Sequence, residues 1–411
     1  MTIGIDARMY GAEQTGIGNY IRNLTDYLFT LDQKNHYIIF LLEPEFSSYE
    51  PPSSRVSKVK VKASWYTFAE QFFLPRDLNR YSVDLMHFPH FNAPVFYRKK
   101  YILTVHDITQ KYFPGLNFSA LLRKQAYELI FTHNINYAKK VISVSHYTKN
   151  DILKNFSVDP DKIQVIYEGV DSRFTPLEKV HPVTNLFVAG WRENIDANPV
   201  RNKFLTGLTG FSKKGRKEAA AILKDKYHLN SPFILYVGVL REHKNVVGLI
   251  YAFNLLLQRY HLDCKLVLVG NPDPRYPKIQ ETIKKLKLNK RIVQVGFVSE
   301  EELVLFYQTT SVLVLPSFRE GFGFTPLEAM ASGTPVASSK STSLPEILGD
   351  AALYFDPYKI PEMAAAILKI LTDRALRDDL IKRGHERIKM FSWKKCAEET
   401  LNLYNAILSE S

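Results

Sequence analysis

The sequence predicts an α/β protein built from two doubly wound, mostly parallel sheets. Three observations lead there. Short apolar, β-branched runs alternate with helical patterns along the 411 residues, as βα units require. The alternation occurs twice, with an irregular stretch between. A chain of this length, 45% hydrophobic, exceeds one ordinary core and favours two domains of about 150 to 200 residues each.

In the first half, strands are expected at "TIGID", "YIIFLL", "KVKVK", "DLMHF", "YILTVHD", "KVISVS" and "IQVIYEG"; in the second, at "FILYVG", "KLVLVG", "RIVQVGF", "SVLVLP" and "TPVASS". Each sheet then offers its ligand edge at the carboxyl ends of its strands. The first unit is expected to span residues 1–172 and the second 231–392. Between them, residues 173–230 mix Gly, Asn, Pro and basic residues without sustained periodicity, and are expected to be a linker with an insertion. The final segment, 393–411, sets Trp393, Ala397, Leu401, Tyr404 and Ile407 on one helical stripe. That helix packs either on its own domain or back on the first.

A net charge of +12 and a pI near 9.3 imply an acidic partner: nucleic acid, an anionic membrane surface or a phosphorylated substrate. No apolar run approaches the ~18 residues of a membrane span, and the first residues form a strand with Asp6 where a signal peptide needs an apolar core. The expected location is cytoplasmic. Cys264 and Cys396 lie far apart without metal-ligand spacing, so neither a disulfide framework nor a zinc site is expected.

The stretch "FREGFGFTPLEAM" follows the buried run "SVLVLPS". Gly321 and Gly323 permit a tight turn, Thr325 is expected to cap a helix with Pro326 at its first position, and Gly333 to close it. Glu320 then stands in the loop and Glu328 in the first helical turn, both toward the amide-rich, positive helix end. Strand, glycine loop, capped helix and two spaced acids together describe a ligand crevice. In "VGVLREHKN" a strand is followed by Arg241, which taken alone reads as a solvated surface charge, and by Lys244, which stands beside the ligand edge and reads as functional. Gly16 and Gly18 of "TGIGNY" open a helix, where they form a plain turn or admit a phosphate to backbone amides. Arg8 frames the same loop or makes a surface ion pair. His106 closes "YILTVHD", a position usually structural for a lone histidine, and Asp107 orients it or caps the next helix. His87 and His90 have no third ligand nearby and are expected to be structural. Asp159-Pro160-Asp161 has the Asp-x-Asp form of a metal motif but occupies a turn context, so no metal site is expected.

Taken together, these motifs resemble the glycosyltransferase family 4 enzymes of the GT-B fold. The resemblance rests on Glu-x7-Glu, Glu320 to Glu328, within "PSFREGFGFTPLEAMASGTPV", on "LPEILGDAALYFDP" and "FSWKKC", and on "DARMYGAEQTGIGNY", "TVHD" and "VISVSHYTKNDI". It covers most of the chain outside 176–225. It implies two Rossmann-like domains facing across a cleft, the N-terminal one for the acceptor and the C-terminal one for a nucleotide sugar. By this resemblance Glu328 holds the ribose hydroxyls, while Glu320 and the backbone of Gly321, Phe322 and Gly323, with Phe324 in the same loop, hold the transferring sugar. Arg241 and Lys244 are similar to the family's basic pair at the diphosphate, although the family more often has arginine where this chain has His243. Gly16 and Gly18 match its first loop, and His106 its active-site histidine. The implied catalytic set is His106, Lys244 and Glu320, with no metal or cofactor besides the nucleotide diphosphate sugar as co-substrate.

The same resemblance points to retention at the anomeric carbon and to bacterial surface-polysaccharide synthesis from GDP-mannose, with a saccharide or lipid-linked acceptor. UDP- and ADP-sugars are the alternative donors. The basic stretches Tyr276 to Arg291 and "FSKKGRK" suggest peripheral contact with an anionic membrane. A nicotinamide dehydrogenase would need a third glycine after "TGIG", and a noncatalytic nucleic-acid or membrane binder would explain the charge but not the two glutamates. No nucleic-acid partner is expected.

Overall fold

The computed structural model describes residues 1–11, 15–114, 118–174, 213–229 and 232–410. Most of the expected insertion, 175–212, lies outside them. The chain forms two compact units: residues 1–169 with 320–322 and 391–411, and residues 170–319 with 323–390.

The first unit holds seven parallel strands: β1 (Thr2–Asp6), β2 (His36–Leu41), β3 (Val56–Lys60), β4 (Leu85–Phe88), β5 (Tyr101–Val105), β6 (Lys140–Ser143) and β7 (Ile163–Val165). Their order is β3-β2-β1-β4-β5-β6-β7. Ile5 of β1 pairs with Ile39 on one side and His87 on the other. Every residue of β5, "YILTV", is buried, as a strand covered by helices on both faces requires. The order reverses between β1 and β4, so the segments leaving those strands diverge and open a crevice at their carboxyl ends.

The second unit repeats this plan with β8 (Phe233–Val237), β9 (Lys265–Val269), β10 (Ile292–Gly296), β11 (Val312–Leu315), β12 (Val336–Ser339) and β13 (Ala352–Phe355), ordered β10-β9-β8-β11-β12-β13. Its reversal lies between β8 and β11, where Leu313 pairs with Leu235. β13 was not among the expected strands: "ALYF" is short and only half buried, too little for a periodicity signal.

Two segments differ from simple expectation. The span expected as linker contains a helix, Lys213–Tyr227. It lies on the helix Glu300–Thr309, with the Tyr227 and Phe306 rings 5.3 Å apart. The terminal helix, Trp393–Ser409, packs on the helix Thr15–Leu31 of the first unit. Its Tyr404 hydroxyl meets His87 Nδ1 at 2.6 Å, His87 Nε2 meets Thr104 Oγ1 at 2.8 Å, and Thr104 meets the Tyr20 hydroxyl at 3.0 Å. All four side chains are fully buried. Burial, with the nearby His106, pushes the His87 pKa down to about 3, so the ring is neutral in this network. Cys264 and Cys396 are both buried free thiols, not joined in a disulfide.

Candidate active site

Of the expected donor residues, Arg241, Lys244, Gly323, Phe324 and Glu328 belong to the second unit, where they follow β8 and β11, the strands of its topological reversal. After β8 the chain makes a 3₁₀ turn, Glu242–Lys244, passes through Asn245 at φ 54°, and enters the helix Val246–Tyr260. Lys244 stands in that turn. The Asn245 amide donates to the carbonyls of Pro316 at 3.1 Å and Pro357 at 2.9 Å, and the Phe318 N–H donates to the His243 carbonyl at 2.8 Å. The loops after β8 and β11 are thereby fastened to each other. Arg241 Nε lies 3.3 Å from Asp273, which Arg275 also grips at 2.8 Å. The Arg275 hydrogen bond, reinforced by both arginine charges, pulls the Asp273 carboxyl down to about 2. Arg241 is therefore ion-paired at the ends of β8 and β9 rather than an isolated solvated charge.

After β11 the helix Phe324–Ala331 starts earlier than expected. Gly323, at φ 111°, is its N-cap, which places Pro326 third and Glu328 fifth, in the second turn. Thr325 is thus inside the helix and does not cap it. Proline is tolerated at the third position because first-turn amides have no intrahelical partner to lose. The Tyr307 hydroxyl, fully buried on the helix Glu300–Thr309, donates to Glu328 Oε2 at 2.8 Å and also bonds the Thr325 side chain. Burial, then the Glu328 charge, holds that phenol pKa well above its ordinary value, so it stays a donor. The amide ends of this helix and of Val246–Tyr260 both open at the carboxyl edge, where an anion is favoured.

The first unit arranges its edge differently. Gly16 and Gly18 lie in the first turn of the helix Thr15–Leu31. Arg8 makes no surface ion pair: it is buried, donating to Asp6 at 2.8 Å, to Glu70 at 2.6 Å and to the Ala63 carbonyl at 3.0 Å. Glu70 accepts in addition from Asn92 at 2.5 Å and the Tyr66 N–H at 2.8 Å. Asp6, Arg8, Glu70, His90 and Asn92 line one small cavity beside Ile17 and Trp65, at the reversal between β1 and β4.

His106, just past β5, has both ring nitrogens engaged: Nε2 donates to the Pro89 carbonyl at 2.9 Å and Nδ1 faces Glu168 Oε1 at 3.0 Å. Since a carbonyl only accepts, the Nε2 proton is fixed, and one further proton lies between Nδ1 and Glu168. Burial alone would lower the His106 pKa, but the bond and charge of Glu168 raise it above the ordinary imidazole value. Asp107 accepts from the Thr109 N–H at 2.6 Å, tying down the short helix Thr109–Tyr112.

The tripeptide Glu320–Phe322 also belongs to this unit. A Cβ on Gly321 would fall 1.8 Å from the His106 carbonyl oxygen, so only glycine fits. The Gly321 carbonyl accepts from Ser145 Oγ at 2.7 Å and Thr148 Oγ1 at 3.2 Å. Phe322 packs between Tyr167 and Phe391. Glu320 is thus brought to the strand end that carries His106.

Two parallel-sheet units, each with polar groups gathered at its reversal, are the GT-B arrangement. Residues 15–174 match the profile described as Glycosyltransferase Family 4, and residues 221–387 that of Glycosyl transferases group 1. The chain is a glycosyltransferase of the GT-B fold. The transferase is 28% identical over 331 residues to the O-antigen chain mannosyltransferase B of Escherichia coli, covering 80% of this chain and 76% of that protein. It is 31% identical over 191 residues to the serotype-specific mannosyltransferase WbdA of Escherichia coli, covering 46% of this chain but 23% of that one. To the O-antigen chain mannosyltransferase RfbU of Salmonella typhimurium it is 27% identical over 65% of this chain and 60% of that protein. Among solved structures, sucrose-phosphate synthase from Thermosynechococcus elongatus superposes with a TM-score of 0.76 at 21% identity, over 100% of this chain and 99% of that one. WaaG, a glycosyltransferase involved in lipopolysaccharide biosynthesis, gives 0.69 at 14% identity over 98% and 99%. At such identities these structures speak to the fold.

Three residues that shape the transferase's edge escaped sequence reasoning: Asn245, Tyr307 and Glu168. Only Asn245 carried a local signal, a polar residue directly before an apolar helix. A larger cavity, about 340 Å³, opens among Gln308, Ser311, Pro335, Arg374 and Arg377. Ser311 and Pro335 precede β11 and β12, so it lies at the amino ends of the strands, away from the ligand edge. Asp159 accepts from the Asp161 N–H at 2.9 Å, the geometry of a turn. Among the described residues no three His, Cys, Asp or Glu side chains cluster as metal ligands, and no helix is long and apolar enough to cross a membrane.

Proposed function

We propose that the transferase moves a hexose, mannose from GDP-mannose, to a saccharide or lipid-linked acceptor in surface-polysaccharide synthesis, with retention at the anomeric carbon. The observation that supports this most is the grip of Tyr307 on Glu328 at 2.8 Å, at the carboxyl end of β11 and on the reversal that also carries Lys244. A carboxylate so fixed suits a vicinal ribose diol. Lys244 and the helix amide ends suit a diphosphate leaving group. Glu320 then stabilises positive charge developing at the anomeric carbon. The acceptor hydroxyl oxygen forms the new bond on the face from which the diphosphate departs, the C–O bond to phosphate breaks, and the hydroxyl proton passes to the departing phosphate oxygen. His106, tied to Pro89 and Glu168, serves as a fixed wall and charge beside the sugar. The buried Arg8–Glu70–Asn92 group forms the acceptor side. The mannosyltransferase relatives support mannose as the transferred sugar. Neither metal nor cofactor is needed in this reading, and the enzyme works from the cytoplasm at an anionic membrane face.

Thermal-shift screening tests the donor, because a ligand that binds only the folded form raises Tm. GDP-mannose should raise it and UDP- and ADP-glucose should not; a shift with UDP-glucose alone replaces the donor assignment. Proton NMR of the product then reads the anomeric configuration, and full activity in EDTA tests metal independence.

A further inference from the structure

The helix Phe68–Asn79 in the first unit buries Glu70, Leu74, Pro75 and Leu78. Its other side is unusual. Phe68 is 89% exposed, Phe72 52% and Phe73 56%, whereas side chains of this size are ordinarily covered. At about 100° per residue, Phe68, Phe72, Arg76 and Phe73 fall in one outward arc with Ala69 and Arg80 between or beside them, and no carboxylate lies in it. The segment after β4 extends the patch. The Val95 N–H donates to Gln71 at 2.8 Å and lays this loop along the helix, bringing the 47%-exposed Phe96 ring within 5.0 Å of Phe72. Arg98, also exposed, follows two residues later. The Arg76 guanidinium sits 5.6 Å from the Phe73 ring. Asp77, at the margin of the arc, pairs with Arg80 at 3.3 Å.

We infer that this phenylalanine–arginine stripe is the surface by which the enzyme docks on an anionic lipid bilayer. The inference rests on the proposal that the acceptor is met at a membrane. Four exposed phenylalanines on one helix face and its adjoining loop, two of them in ring contact, gather apolar surface of the kind that marks an interaction site. Arginines at its edge and a chain charge of +12 select an anionic occupant. A second copy of this chain is a poor partner, because an isologous contact would set Arg76 and Arg98 against themselves with no carboxylate in the arc to answer them. A glycan is less suited, since covering four phenylalanines would desolvate sugar hydroxyls for which the stripe offers donors at its arginines but no carboxylate to accept. At a headgroup boundary the rings enter the acyl region while the guanidinium groups stay with the phosphates. The basic helix Lys278–Lys285, with exposed lysines but no exposed aromatic rings, is suited to long-range attraction without insertion.

The test uses the full chain and vesicles of phosphatidylcholine alone or with phosphatidylglycerol. Sedimentation should require phosphatidylglycerol. Joint replacement Phe68→Ser, Phe72→Ser and Phe73→Ser should weaken it at least tenfold with Tm unchanged, and Arg76→Glu about fivefold or more. Because Cys264 and Cys396 are buried, Phe72→Cys can be labelled selectively with a polarity-sensitive fluorophore, whose emission should shift to the blue on phosphatidylglycerol vesicles only. Undiminished sedimentation of the triple serine variant, together with loss in Lys284→Glu/Lys285→Glu, would overturn the stripe while leaving membrane contact intact. Absence of binding by the unmodified chain, with normal transfer to a soluble acceptor, would overturn both. A dimer that the serine variant abolishes, without vesicle binding, would assign the stripe to a second copy.

Discussion

The two units share one topology and hold their polar edges by opposite means. At the reversal of the first, charged side chains are withdrawn from water and neutralise each other, Arg8 against Asp6 and Glu70, and past β5 the buried His106 and Glu168 share a proton. At the reversal of the second, glycine, helix amide ends and an αL asparagine shape the edge, and the charges there, such as the half-exposed Arg241, remain in contact with solvent. A buried ion pair is rigid but intolerant of losing a partner. An edge made of backbone can receive and release a charged ligand without leaving a buried charge unpaired. The contrast suits the proposed division, in which one half presents a preformed acceptor surface and the other takes up and releases the nucleotide.

The sharpest way to break this comparison is to remove one cation from each edge. Arg8→Met strands Glu70 in the interior and should cost about 3 to 5 kcal/mol, whereas Arg241→Met should cost less than about 1 kcal/mol; urea unfolding of both variants measures the difference. Equal losses would erase the distinction. Next in size, Lys244→Ala and Glu320→Gln should each reduce kcat by about 10² or more while Tm holds, as expected for lost preorganised charge. Near-normal turnover in both would remove the site assignment. Tyr307→Phe removes one hydrogen bond to a carboxylate and should weaken donor binding roughly tenfold, read by calorimetry, with kcat much less affected. If Glu328→Ala impairs donor binding and Tyr307→Phe does not, the phenol is packing alone.

The smallest effect lies in pH. His106 is raised in the fold, so its contribution is complete below the unfolded imidazole value of about 6.5 and disappears as pH rises through the higher folded value. His87 and His90, both lowered to about 3 by burial and the His106 charge, act oppositely and cost stability as pH falls below about 6.5. Glu168→Gln isolates the first effect, because its amide can donate to a neutral Nδ1. The gap in stability between the parent chain and this variant should be widest in mild acid and narrow as the pH rises above about 6.5. A gap independent of pH would show that Glu168 acts by packing.

The sequence disclosed what local periodicity and turn chemistry can encode. Runs such as "YILTV" and "VLVL" are buried on both faces and announce themselves without knowledge of their neighbours. The glycine loop before Glu328 was visible too, but its helix begins at Phe324 because a positive φ at Gly323, not the Thr325 hydroxyl, turns the chain. Partners far apart in sequence were out of reach. Nothing near Glu168 indicates that its carboxylate meets a ring 62 positions earlier, nor that Tyr307 reaches across to Glu328. His106 is the same case: neither the bond from its Nε2 to the Pro89 carbonyl nor the contact of its Nδ1 with Glu168 is written in "YILTVHD".

Placement of the helix Trp393–Ser409 in the first unit also orders events during synthesis. Residues 170–390 must all be made between the last strand of that unit and the helix that covers Thr15–Leu31. At about 5 to 20 residues per second, the nascent chain waits on the order of 10 to 45 s. Throughout that interval the apolar face of Thr15–Leu31 is bare and His87 lacks the Tyr404 hydroxyl, while the second unit already has nearly all of its own residues. The half that begins first is finished last, so demand for a chaperone should fall on the N-terminal sheet.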